Sequence, residues 1–272
     1  MKTVLLATDF SKAANKAAHI AAQIAIKQNA RLLLFHSYRF MNTYDGNYGY
    51  PIDEAEKISA RKLNYLKRRI SGRLEQPLEI IQCNRHGFVM DTVKEVIDEF
   101  GVDLIVMSSV GDTPLGANYF GSIATDMIDN LKIPMLILPP KYRLSYIENT
   151  VMAIDLKKPL EVEMLDTAAY FLRDLNAMVD VVYIARTTEE ANTKEVKEAG
   201  LRVRDLLKNV PHTFQILVGT NQVAEINGFV KKRKAQLLIT FPKHHTFFER
   251  VFLQANTRRL VFDAEVPVLA IQ

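Results

Sequence analysis

The chain has no tryptophan, a single cysteine, and only 11 glycines in 272 residues. One cysteine, Cys83, cannot form an internal disulfide, so no disulfide framework holds this fold and a reducing compartment is expected. Its setting, LEIIQCN, reads as a buried strand thiol. No apolar run approaches the roughly 20 residues that a membrane helix requires. The opening MKTVLLATDF meets Asp9 too early for a signal peptide, and no small-residue cleavage site follows. It reads as a first strand, and a cytoplasmic protein without a membrane partner is expected. Concentrated charge is also missing. The net charge is +4, divided about +3 and about +1 between the two halves. The one dense basic run, KKRK at 231–234, ends a helical pattern, where cations complement the helix dipole. A nucleic-acid partner is not expected.

What the chain does contain is ordinary globular composition, 48% hydrophobic and 24% charged, written twice. VLLATDF at 4–10 resembles VMAIDLK at 151–157, with Asp9 matching Asp155. VDLIVMS at 102–108 resembles AQLLITF at 235–241, and KIPMLIL at 132–138 resembles EVPVLAI at 265–271. The last two pairs share one offset. Two domains follow, 1–146 and 147–272. In the first, strands are expected at 3–8, 31–36, 78–83, 103–108 and 135–138. Helices are expected near 12–28, 52–71, 89–100 and 123–130. Ser11 suits a helix N-cap, and Gly101 a C-terminal cap. The strands are continuous apolar runs, as in sheets covered by helices on both faces. The fold class is therefore α/β: two tandem doubly wound five-stranded parallel sheets, Rossmann-like, related by a pseudo-twofold axis.

Three of the few glycines fall in one stretch, VMSSVGDTPLGANYFGSIATDMI at 106–128, between a strand and a helix. In a doubly wound sheet, ligands bind beyond the C-terminal strand ends where strand order reverses. Asp9, His36-Ser37 and Ser108 all end strands. Glycines let a backbone approach an anion closely, and the helix beginning at Ser122 offers free N–H donors to phosphate. The loop reads as a phosphate cradle or as an ordinary strand-to-helix turn. Asp9, likewise, suits either a ligand or a turn and cap.

TDFS after the first strand, then FHS, then M-S-x-x-G-x9-G-S-x-A before a helix and a PMLIL strand: this pattern resembles the universal stress protein family in its tandem form. The resemblance covers nearly the whole chain and is more specific in the first half. ATP-binding members carry G-x2-G-x9-G-[ST]; Gly111 and Gly121-Ser122 keep the spacing, Ser108 replaces the first glycine, and Gly116 is additional. The resemblance implies an adenine nucleotide fold of the alpha hydrolase-like type. It places Ala7, Thr8 and Asp9 against adenine and ribose, and a backbone group of Ser37 at the adenine edge. Met107, Ser108, Gly111, Gly121, Ser122, Ile123 and Ala124 fall on ribose and phosphate. It implies ATP or a related adenine nucleotide, with Mg2+. A positive φ at position 108 would make serine costly by roughly 1–2 kcal/mol; a negative φ would cost little.

In the second half the shared offset sets His244, Glu249, Gln254 and Ala255 where the first has Gly111, Gly116, Gly121 and Ser122. Phe247, Phe248 and Phe252 fill the loop, so a degenerate structural copy is expected. Lys243-His244-His245 has no third ligand at metal spacing. The stretch 38–51, rich in tyrosine, is absent from the second half and reads as a surface loop or a lid. A nucleotide-binding sensor or adaptor of the stress response is the leading expectation; the alternative is a protein-interaction module with a vestigial site. No nucleophile–base pair emerges and no lysine follows the glycines as in a Walker loop, so at most slow ATP hydrolysis is expected. The sequence does not name the protein partner, and a homodimer stays open.

Overall fold

The computed structural model describes residues 1–39, 52–109, 122–140, 142, 147–156, 162–173, 177–242 and 266–272, with Ser122 described by its backbone alone. The chain divides into two compact units, Met1–Pro140 and Lys141–Gln272. The first contains β1 (Thr3–Ala7), α1 (Lys12–Lys27), β2 (Arg31–Tyr38), α2 (Ile52–Ser71), β3 (Ile80–His86), α3 (Val89–Phe100), β4 (Leu104–Ser108), α4 (Ser122–Asn130) and β5 (Met135–Leu138). All its strand pairs are parallel, in the order β3-β2-β1-β4-β5. Strand order therefore reverses at β1, which makes the space beyond β1 and β4 the switch point.

Local chemistry explains these elements. The Ser11 hydroxyl accepts from Ala14 N–H at 3.0 Å and starts α1. Alanines 14, 17, 18, 21, 22 and 25 are all buried, so α1 lies close against the sheet at β1 and β4. Gly101 ends α3 at φ 60, a left-handed turn that glycine adopts without a Cβ penalty. Leu32, Leu33, Leu34 and Phe35 are buried in succession, as expected of a strand covered on both faces. Cys83 is buried in β3, and that burial pushes its thiol pKa up. β3 itself lies two residues later at its start and three later at its end than the sequence implies. Its polar second half, Asn84-Arg85-His86, belongs to an edge strand whose outer positions face solvent.

The second unit contains β6 (Asn149–Ile154), α5 (Val162–Arg173), β7 (Met178–Ala185), α6 (Thr188–Ala191), α7 (Lys194–Leu206), β8 (His212–Val218), α8 (Gln222–Arg233), β9 (Leu237–Thr240) and β10 (Val268–Ala270). Its strands are also parallel, in the order β8-β7-β6-β9-β10, the topology of the first unit repeated. Pairing registers fix the equivalences. Val4 faces Leu104 in β1–β4, and Thr150 faces Leu237 in β6–β9. That frame makes Asp9 and Asp155 equivalent, Ser108 equivalent to Phe241, His36 to Tyr183 and Ser37 to Ile184. The KKRK run does close α8, with Lys231, Lys232 and Lys234 exposed. Arg233 departs from that pattern: it turns inward and clasps the buried Asp180 through two nitrogens, while Thr213 donates to the same carboxylate at 2.6 Å.

Candidate nucleotide site

Three strand ends and one helix start converge at the switch point of the first unit. β1 stops at Ala7 and turns through Thr8-Asp9-Phe10 into α1. Phe10 takes φ 65, an uncommon left-handed conformation for an aromatic residue. Local bonds hold that turn. Thr8 Oγ1 accepts from Phe10 N–H at 3.0 Å, and Asp9 Oδ1 accepts from Ser11 N–H at 3.0 Å. Asp9 thus does serve the turn, and its side chain is also exposed at the strand end. Continuing the β1–β4 register brings Ala7 beside Met107 and Thr8 beside Ser108.

Ser108 is the last residue of β4, paired with Leu138 of β5, and is buried. Among the described residues the non-glycine positions with positive φ are Phe10, Asn29 and Lys234. Position 108 is therefore extended, and serine there carries no left-handed penalty. Ser109 follows, its N–H donating to Leu138 O at 2.9 Å. Its hydroxyl is buried, 6% exposed for the residue, and among the described residues it has no hydrogen-bond partner; nor has the hydroxyl of Thr125 in the first turns of α4. Neither hydroxyl has a signal in the sequence, because serine and threonine are common at strand ends and in helices. Gly111, Gly116 and Gly121 lie outside the described residues, as does the Ser122 side chain. α4 begins at Ser122, with Ile123 exposed and Ala124 fully buried. His244, His245, Phe247, Phe248, Glu249, Phe252, Gln254 and Ala255 also lie outside the described residues, as do 40–51.

β2 supplies the fourth side of the site. Backbone N–H and C=O groups of one strand residue point the same way, and successive residues alternate. Arg31 N–H donates to Lys2 O at 2.9 Å and Phe35 O accepts from Thr8 N–H at 3.0 Å, so odd-numbered residues of β2 face β1. Leu32 N–H donates to Glu79 O, and Tyr38 O accepts from Gly87 N–H, so even-numbered residues face β3. Ser37 accordingly directs its N–H and C=O past the end of β1. Its hydroxyl is occupied, donating to Gly87 O at 2.6 Å. His36 sits over the turn: Nδ1 lies 2.6 Å from Thr8 O and the ring is 4.4 Å from that of Phe10. A carbonyl only accepts, so Nδ1 carries the proton. Burial lowers the His36 pKa; the Thr8 carbonyl opposes this, Lys62 adds to the lowering, and Asp9 opposes it.

The second unit keeps the acid, Asp155, but differs at the other strand ends. Tyr183 stands where His36 does, and its hydroxyl donates to Glu190 Oε1 at 2.5 Å. Burial and then Glu190 hold that phenol well above the ordinary tyrosine range. Ile184 replaces Ser37, with the Gln222 side-chain amide 3.5 Å from its carbonyl. Phe241 replaces Ser108. Among the described residues no group of three His, Cys, Asp or Glu could hold a metal, and no helix is long and apolar enough to cross a membrane.

Two tandem doubly wound α/β units, sharing an acid after the first strand but differing at the other strand ends of the switch point, define the class of this protein. The family described as the universal stress protein family matches residues 1–139, just over half the chain, and the chain belongs to that family. No curated protein matches the sequence. Among solved structures, a universal stress protein from Archaeoglobus fulgidus DSM 4304 is similar over 99% of this chain and 98% of its own, at 16% identity and a TM-score of 0.69. A putative universal stress protein from Pseudomonas aeruginosa UCBPP-PA14 is similar over 100% of this chain and 93% of its own, at 14% identity and a TM-score of 0.64. A universal stress protein from Archaeoglobus fulgidus in complex with dAMP covers 47% of this chain and 100% of its own, at 20% identity and a TM-score of 0.37. The first two likenesses concern the fold.

Proposed function

We propose that the first unit binds one adenine nucleotide, ATP or a close relative, and that the protein acts as a nucleotide-responsive sensor or adaptor of the stress response. The observation that carries this reading is the Ser37 backbone edge. A donor and an acceptor face past the end of β1, beside Asp9, at the switch point. An adenine offers the matching pair, its N1 as acceptor and its exocyclic amine as donor. Asp9 would then meet the ribose hydroxyls. Phosphate would lie toward Ser108, Ser109 and the N-terminus of α4, since a helix N-terminus favours an anion. The orphan Ser109 hydroxyl fits a ligand or ordered water on that side. Mg2+ would be carried by the phosphates. The second unit, with Tyr183, Ile184 and Phe241 at the equivalent places, is the degenerate copy, and its role is structural or in partner binding.

The sequence offers no nucleophile–base pattern and no Walker lysine after the glycines, so slow turnover or none is the expectation. The direct test is to denature the purified protein and identify what is released. An adenine nucleotide in near-stoichiometric amount supports the reading. Release of no nucleotide, together with no ATP binding at millimolar concentration, would replace it with the protein-interaction module.

A further inference from the structure

The β1–β2 ladder stops one step before its chemistry requires. Bonds step regularly along it, from Arg31 N–H to Lys2 O and from Thr8 N–H to Phe35 O. The next bond in that series would run from Ser37 N–H to Thr8 O. Among the described residues that bond is not made. The Thr8 carbonyl is taken instead by a side chain, His36 Nδ1 at 2.6 Å. The imidazole is fixed in place by the Phe10 ring at 4.4 Å, and the Lys62 ammonium lies 5.4 Å from that same ring. Phe10 holds φ 65, so the chain leaves the sheet at the point where the ladder ends.

We infer that His36 is a positioning residue for base recognition: its imidazole substitutes for the Ser37 N–H at the Thr8 carbonyl, ends the ladder early, and leaves the Ser37 edge to the base. This rests on the nucleotide reading given above. It adds a residue that need not touch the ligand. With a carbonyl already satisfied, Thr8 does not compete for the Ser37 donor, and a purine binds without breaking a sheet bond. Among the described residues the second unit does not repeat the device. Tyr183, at the equivalent position, sends its hydroxyl to Glu190 rather than to the turn after β6.

The test uses the full chain, as parent and two variants, with two titrants. His36→Phe keeps a ring against Phe10 and removes the donor. His36→Asn keeps a donor nitrogen the same number of bonds from Cα. ATP and 1-deaza-ATP, which lacks the N1 acceptor, are titrated into each by calorimetry. The parent should prefer ATP by about tenfold, the worth of one good hydrogen bond. His36→Phe should bind ATP about tenfold more weakly and lose the preference, whereas His36→Asn should keep both. A parent that binds no ATP overturns the nucleotide reading and this inference with it. A parent that binds, with His36→Phe matching it in affinity and in preference, overturns the inference alone. Should His36→Phe fail to fold, the parent decides by NMR. A proton on His36 Nδ1 and a fast-exchanging Ser37 amide support the inference; a proton on Nε2, or a protected Ser37 amide, overturns it.

Discussion

Replacing Ser108 by glycine restores the glycine that ATP-binding members of the family carry at this position, and it should gain nothing. The residue lies within β4, in register with Leu138, and is 9% exposed. Its backbone is extended, so glycine's freedom to adopt positive φ is not used there. Glycine instead loses more chain entropy on folding, about 0.5–1 kcal/mol in a strand. Loss of the hydroxyl adds to that. Thermal unfolding should therefore move down by about 2–4 °C. ATP affinity should change by less than about threefold, below roughly 0.7 kcal/mol. Differential scanning calorimetry and ATP titration on Ser108→Gly and its parent check both numbers. A variant that binds ATP at least ten times more tightly would refute the reasoning, because it would mean that serine had been holding the site in a strained backbone.

Three further outcomes follow from other places in the molecule. Arg233→Met leaves the Asp180 carboxylate, 1% exposed, with the Thr213 hydroxyl alone; Arg233 is itself partly exposed, so the loss should be about 2–3 kcal/mol, below the fully buried case, by denaturant titration. His36, with its pKa lowered by burial, favours the neutral ring in the folded state. Its contribution is complete above the unfolded histidine value of about 6.5 and is lost as pH falls through the lower folded value; His36→Asn should flatten that part of the stability–pH curve. Tyr183 has the opposite sense: its raised pKa contributes fully below about 10, the unfolded tyrosine value, and the contribution is lost as pH climbs above it, which Tyr183→Phe should abolish.

Much of the architecture is legible in the sequence because the apolar periods are strong. α2, α3 and β5 have the bounds their patterns imply, and the Ser11 and Gly101 caps form as their residue types require. β2 runs on to Tyr38 and β3 to His86, beyond the apolar stretches, because backbone pairing with a neighbour continues through polar residues at the crevice rim. Asp9 was legible as a strand-end acid, and the registers of the two units make it the counterpart of Asp155. His36 was legible only as a strand-end residue. Its part depends on which carbonyl the ring reaches, and that is set by register and by the turn at Phe10, which no local pattern encodes. The orphan hydroxyl of Ser109 and the inward turn of Arg233 are hidden for the same reason: both depend on partners, absent or distant, that only the fold defines.

The first unit should take up a single adenine nucleotide per chain. Isothermal titration of ATP into the parent and into Asp9→Ala tests it most directly. The account predicts a stoichiometry near one per chain, with affinity reduced at least about tenfold by the substitution. A stoichiometry of two, binding indifferent to Asp9, or no binding at millimolar ATP would contradict it.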